Sequence, residues 1–208
     1  MTQPPNLDPV KAYFEERIDA HGTSPRGADW NSDASQEARF DQLLKLVDPS
    51  SPFSILDYGC GYGALADYLV KKGFQAEYFG FDIVEKAVAA ARRLHRGQPG
   101  RSFSADKSRL PACDYVVASG IFNFRAEAAF EAWTDYVVGV LQDFDRLSRK
   151  GFASNFLTKY SDPERMRADL YYADPCFLFD YCKRNFSKNV ALLHDYTLYD
   201  FTILVRKG

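Results

Sequence analysis

The run Ile55-Leu56-Asp57-Tyr58-Gly59-Cys60-Gly61-Tyr62-Gly63-Ala64-Leu65 constrains this chain more than any other segment. A short apolar stretch delivers a carboxylate, three glycines follow at alternate positions, and an apolar-periodic segment resumes at once. Alternate glycines let a backbone leaving a strand turn tightly, approach a ligand closely and enter a helix. The segment therefore predicts a strand, a ligand-holding turn and a helix. Asp82, about 19 residues beyond Gly63, closes the next predicted strand, where a carboxylate can accept both hydroxyls of a ribose.

The flanking sequence supplies the architecture. Asp8-Pro9 reads as an N-cap with proline in the first turn, and Val10, Tyr13, Phe14 and Ile18 share one helical face ending near His21-Gly22. A loop over 22–32 carries Arg26, Gly27 and Trp30. Phe40, Leu43, Leu44 and Val47 then mark a second helix that stops before Asp48-Pro49. Strands over 53–57, 77–82, 101–105, 115–118 and 152–156 alternate with helices over 64–72, from Val84 to Leu94 and from Phe130 to Phe144. Such alternation predicts an α/β fold, doubly wound on a mostly parallel sheet. Asp162-Pro163 and Asp174-Pro175 each read as a helix start. The runs 190–196 and 199–206 are too close for a helical crossover and predict a terminal antiparallel hairpin, giving seven strands. The division expected is an N-terminal helical cap over 1–50 and one compact unit over 51–208.

Composition narrows the function. A chain of 208 residues buries about 70% of its unfolded surface, enough for one full core. Its 26 Lys+Arg against 28 Asp+Glu give no pull toward nucleic acid or anionic membrane. No apolar run approaches a membrane span, and Met1 to Asn6 lack the layout of a signal peptide, so a cytoplasmic protein is expected. The four cysteines form no C-x-x-C pair; reduced thiols and no metal site follow. Aromatic residues at 15% point to a pocket lined by rings.

The glycine turn also satisfies G-x-G-x-x-A through Gly59, Gly61 and Ala64, which keeps a nicotinamide-dependent oxidoreductase open as an alternative. Against it, Asp57 would face a pyrophosphate, whereas it suits the ammonium of an amino acid. A second mononucleotide-binding half is missing where the chain turns into a hairpin, and the only Tyr-x-x-x-Lys pair after the loop, Tyr68 and Lys72, lies in the first crossover helix.

D-Y-G-C-G-Y-G followed by F-G-F-D resembles the class I S-adenosylmethionine-dependent methyltransferases over roughly Phe53 to Arg206. The resemblance implies S-adenosylmethionine as cofactor and S-adenosylhomocysteine as product. It implies that Asp57, Gly59, Gly61 and Gly63 pass under the methionyl part, that Asp82 with Ile83 binds the ribose, that Asp106 beside Ala105 and Lys107 contacts adenine, and that Ser119 and Gly120 edge the methyl-transfer site. It also implies a last strand inserted antiparallel beside the sixth.

A sulfonium activates its own methyl group, so the protein has mainly to align an acceptor and exclude water. An aromatic pocket is expected rather than a catalytic triad. Candidate acceptor contacts are Tyr13, Arg26 and Trp30 in the cap, Phe122 and Asn123 after the fourth strand, and Arg167, Tyr171 and Tyr172 after the fifth, with Arg165 and Arg167 able to clamp an anion. His194, Asn123 and Tyr13 are the only candidates for acid–base work. Ser119 to Phe124 lacks the Asn/Asp-Pro-Pro-Tyr/Phe motif of methyltransferases acting on nucleobases or glutamine amides. A small-molecule acceptor follows, without nucleic acid or membrane as partner; a cofactor-binding subunit without turnover remains the other alternative. Cys60 reads as a small packed residue, and His21 and His95 as exposed groups at helix ends.

Overall fold

A computed structural model describes residues 4–208. Met1 to Gln3, where the signal-peptide reading begins, lie outside the described residues. Helix α1 spans Asp8–His21 and α2 spans Asp33–Leu44. Then come β1 Phe53–Tyr58, α3 Ala64–Lys71, β2 Ala76–Phe81, α4 Glu85–Leu94, β3 Arg101–Ser104, β4 Cys113–Ala118, α5 Phe130–Leu147, β5 Ser148–Leu157, α6 Pro175–Asn185, β6 Asn189–Leu193 and β7 Asp200–Arg206. They build one seven-stranded sheet in the order β3-β2-β1-β4-β5-β7-β6. Strands β1 to β5 run parallel, and β7 enters antiparallel between β5 and β6. The fold class read from the sequence is therefore the one observed. Among the described residues no helix is long and apolar enough to cross a membrane.

The sheet is buried on both faces because its central strands are apolar at nearly every position; β1 has no exposed residue at all. One face packs Leu56, Val116, Phe152 and Phe201 under Trp133, Val137 and Phe144 of α5. The other packs Ile55, Tyr115, Ala153 and Leu204 under Phe40 and Leu43 of α2 and Leu65 and Leu69 of α3. Helix α2 thus shares the core of the sheet, whereas α1 contacts mainly the Pro25–Ala28 turn and α4.

Four local expectations change. Asp8 is the first helical residue of α1 rather than its cap, because the Asn6 side chain already accepts the Asp8 N–H at 2.9 Å. Asp162-Pro163 starts only a three-residue turn, Pro163–Arg165, since Glu164, Arg165 and Met166 offer no apolar face to bury. The last two strands are shorter at their near ends and leave 194–199 as a longer connection. His95 is not exposed: it is 4% accessible, stacks on Phe103 and places Nε2 3.1 Å from the Tyr62 carbonyl under the glycine turn.

Candidate active site

The turn between β1 and α3 is pinned to the end of β2. The N–H groups of Gly59 and Cys60 donate to the Phe81 carbonyl at 2.6 and 2.9 Å. Gly59, Gly61 and Gly63 all have positive φ, at 87°, 54° and 87°. The first and third are crowded: a Cβ on Gly59 would run into Ile121, and one on Gly63 would meet His95 Nε2 at 2.6 Å. Gly61 is different, because a Cβ there would meet nothing within 4 Å, and the residue lines the main cavity. Its hydrogen side is open space, as a cradle for a ligand requires.

Two buried carboxylates flank this opening. Asp82 accepts the Gly61 N–H through Oδ2 at 2.8 Å and the Val84 N–H through Oδ1 at 2.9 Å, so the end of β2 clamps the turn. Burial raises its pKa, against the pull of those two N–H groups. Asp57 accepts the Tyr78 hydroxyl through Oδ2 at 2.6 Å, while its Oδ1 has no donor among the described residues. Burial pushes the Asp57 carboxyl up to about 7; the Tyr78 bond opposes the shift and the Asp82 charge adds to it. A free oxygen on a buried carboxyl lining a cavity is suited to an ammonium group, which would restore the ionised form.

The cavity runs from this turn under α1 and the loop that follows it, and Val10, Phe14, Asp29 and Trp30 roof it. Its inner wall is aromatic: Tyr58, Phe81, Trp133 and Tyr136. The Trp30 indole leans on the end of β4, where a Cβ on Gly120 would come within 2.7 Å of its Cζ2. The Arg39 guanidinium lies 4.3 Å from the centre of the Trp30 ring. Behind them, fully buried Asn155 fixes the β4 end, its Oδ1 accepting the Gly120 N–H at 2.8 Å and its Nδ2 donating to Ser119 Oγ at 3.2 Å.

Asp57, Gly59, Gly61, Asp82, Ile83, Ser119, Gly120, Trp30 and Asn123 all line this one cavity; Gly63 lies just behind the turn. Other sequence candidates stand elsewhere. Asp106 is exposed and outside the lining, its Oδ1 capping the Lys107–Arg109 turn through Ser108 N at 2.9 Å. Phe122 is fully buried and stacked on Phe156, and Tyr171 is buried with its hydroxyl 3.0 Å from Thr134 Oγ1, so both are core residues. Tyr172 accepts the Arg167 N–H, exposed Arg167 pairs with Asp169, and Arg165 pairs with Asp162; no arginine clamp forms toward the cavity. Arg26 and His194 are exposed and outside the lining, the latter packed between Tyr160 and Phe201. Tyr13 stacks on Phe124 at 4.2 Å and donates to Asp29 Oδ2 at 2.9 Å, with Arg17 on Asp29 Oδ1 at 3.0 Å. Asn123 spends its Oδ1 on the Leu157 N–H. Cys60 is buried and packs toward Gly80, where a Cβ would meet its Sγ at 2.8 Å. Tyr58, Tyr78, Tyr136, Gln36, Arg39 and Asn155 were not singled out from the sequence. Their signal is polar atoms at positions whose apolar periodicity predicts burial.

A family model described as a methyltransferase domain matches residues 55–143. A protein of Mycobacterium tuberculosis H37Rv carrying a methyltransferase name is 50% identical over 165 residues, covering 79% of this chain and 99% of the relative. The chain belongs to the class I S-adenosylmethionine-dependent methyltransferases. Among solved structures, the N-methyltransferase NodS from Bradyrhizobium japonicum WM9, in complex with S-adenosylhomocysteine, superposes with a TM-score of 0.67. It is 14% identical, with 96% of this chain and 98% of that one covered. Magnesium protoporphyrin IX methyltransferase from Synechocystis PCC 6803 with bound S-adenosylhomocysteine gives 0.62 at 16% identity, covering 97% and 96%. This methyltransferase therefore uses S-adenosylmethionine, and the dinucleotide and non-catalytic readings are set aside. Among the described residues no cluster fit to hold a metal occurs, and the four cysteines are free.

Proposed function

We propose that the cavity holds S-adenosylmethionine along the glycine turn and that this methyltransferase acts on a small molecule admitted beneath the Trp30 loop. The observation that carries the reading is the pairing of an unfilled Gly61 cradle with the free Oδ1 of Asp57. In this arrangement Asp57 receives the ammonium, Gly59 and Gly61 let the methionyl chain approach, and Asp82 with Ile83 takes the ribose edge. Both Asp82 oxygens keep a second lone pair after binding Gly61 and Val84. Gly63 shapes the turn from behind. Ser119 and Gly120 form the rim nearest the transferred methyl. Asp106 has no part in this arrangement.

The bound cofactor supplies an activated methyl group, so the chain's own work is orientation and exclusion of water. Asn155 holds the β4 rim rigid, and Trp30, Phe14 and Phe124 cover it. Rings beside a sulfonium add about 0.5–2 kcal/mol of cation–π attraction. Residues 4–50 serve two ends: α1 and the 22–32 loop act as the cap, while α2 belongs to the sheet's core. A small-molecule acceptor is supported by the roofed, ring-lined cavity and by a formal net charge of only −2. Calorimetric titration with S-adenosylhomocysteine tests the cofactor site: the wild type should bind, and Asp57→Asn should bind more weakly. Equal affinities would remove the ammonium assignment.

A further inference from the structure

Beside the cavity stands a carboxylate with only half of its hydrogen bonding complete. Asp200 opens β7 with no accessible surface; its Oδ2 accepts Arg39 Nε at 2.5 Å, and its Oδ1 is buried without a partner among the described residues. A buried acceptor left unpaired costs about 1–3 kcal/mol, so such an atom in a native fold calls for a ligand or another cause. Arg39, 8% exposed, also donates to the Ser35 carbonyl at 2.8 Å and stacks on Trp30, which leans on Gly120. A continuous chain of contacts thus runs from Asp200 on β7 to the rim of the cavity on β4. Strand pairing puts Thr202 and Asn155 on the same sheet face as Asp200, and Gln36, one turn before Arg39, lines the cavity.

The charges choose the ligand. Arg39 already neutralises the carboxylate, so an ammonium would gain little there and would be repelled by the guanidinium. An anion would face the Asp200 oxygen. A neutral hydroxyl, by contrast, can donate to Oδ1 at full strength. The indole has one face on Arg39 and itself lines the cavity, as does the side chain of Gln36. An aromatic plate beside neutral hydrogen-bonding groups suits a polyhydroxylated ring with a C–H face.

We propose that Trp30, Arg39 and Asp200 form the acceptor-recognition subsite, and that it takes a neutral polyhydroxylated ring whose hydroxyl donates to Asp200 Oδ1 while its C–H face lies on Trp30. This rests on the cofactor site proposed above and names the acceptor class for it. Arg39 and Asp200 lie behind the cavity lining, so the ring reaches Oδ1 only by displacing the Trp30 indole from the Arg39 guanidinium.

The test uses the full chain saturated with S-adenosylhomocysteine. Saturation-transfer NMR and tryptophan emission follow titration with methyl β-D-glucopyranoside, with propylammonium and propionate as charged probes. The glucoside should bind with contact to its C–H protons. Asp200→Asn should weaken it about tenfold or more, with cofactor-product affinity held within about threefold. Should that variant misfold through an unpaired Arg39, the paired replacement Arg39→Met with Asp200→Leu removes both charges at once, a change buried pairs tolerate. It should also lose the glucoside. A pair that merely fastens α2 to β7 would leave glucoside binding intact in the double variant, and that result overturns the proposal. So does a preference for either charged probe, or no glucoside binding while the product binds. Absence of product binding by the wild type would instead remove the cofactor site itself, and the subsite with it.

Discussion

Two glycines in the same backbone state separate the cradle from the fold. Gly61 and Gly73 have φ of 54° and 78°, and a Cβ on either would meet nothing within 4 Å. Alanine in the left-handed region costs about 1–2 kcal/mol at each position. In a chain of this size that lowers Tm by roughly 2–8 °C. Neither substitution adds a clash, so Gly61→Ala and Gly73→Ala should be destabilised alike in differential scanning fluorimetry. Their ligand behaviour should diverge, because Gly61 lines the cavity and Gly73 lies past the end of α3. A methyl group on Gly61 stands where the methionyl chain should pass. Overpacking of about 1–3 kcal/mol there corresponds to a roughly five- to hundredfold loss of S-adenosylhomocysteine affinity. Gly73→Ala should titrate in the calorimeter like the wild type. If Gly61→Ala binds as tightly as Gly73→Ala, the open side of Gly61 is not the cofactor's path and the placement of the ligand is wrong.

Gly120→Ala combines a left-handed φ of 72° with a Cβ 2.7 Å from Trp30 Cζ2, so it should cost about 2–4 kcal/mol and shift Trp30 emission to the red; an unchanged spectrum would contradict the contact. Asp82→Ala frees the Gly61 N–H on the turn and the Val84 N–H before α4, and should weaken S-adenosylhomocysteine by roughly 1–3 kcal/mol in calorimetry; retained affinity would count against the ribose role. The folded-state pKa of Asp57, about 7, lies above its ordinary value near 4, so the native chain binds the extra proton and this group's contribution to stability fades as pH rises through that window. Urea unfolding of the free protein should therefore show the wild type losing stability relative to Asp57→Asn between about pH 4 and pH 7, the range the shift spans, and a constant gap would show that Asp57 is ionised throughout. Product affinity should move the opposite way, rising about tenfold from pH 6 to pH 8 as the carboxylate that meets the ammonium becomes charged; a flat profile would refute that role.

The glycine turn was legible because its geometry is local: a strand, three residues able to take positive φ and a helix start lie within eleven positions. Strand and helix alternation was legible for the same reason, and Asp82 followed from its spacing. Errors arose where the outcome depended on distant chain. His95 follows a charged helix end and reads as solvent-facing, yet Phe103 and the Tyr62 carbonyl enclose it. Phe122 and Tyr171 read as pocket rings from their place after β4 and β5, but α5 and β5 draw them into the core. The ring wall actually present, Tyr58 and Tyr136 with Trp133, joins residues about 80 positions apart on β1 and α5.

The acceptor side was the least legible part, and the reason lies in strand periodicity. Asn155-Phe156 and Asp200-Phe201-Thr202 alternate polar and apolar residues, the pattern of a strand with one solvated face. Here that face is covered by α2, so Asn155, Asp200 and Thr202 have no accessible surface. A covering helix that met them with leucine alone would strand three polar side chains in apolar surroundings. Helix α2 instead presents Gln36 and Arg39 together with Phe40 and Leu43, and Arg39 reaches Asp200 across 161 residues of chain. Each half of that match is unremarkable by itself. Only their superposition distinguishes a polar seam between helix and sheet from two ordinary amphipathic surfaces. The seam's one unmet oxygen, on Asp200, is where a demand for a partner passes from the fold to a ligand.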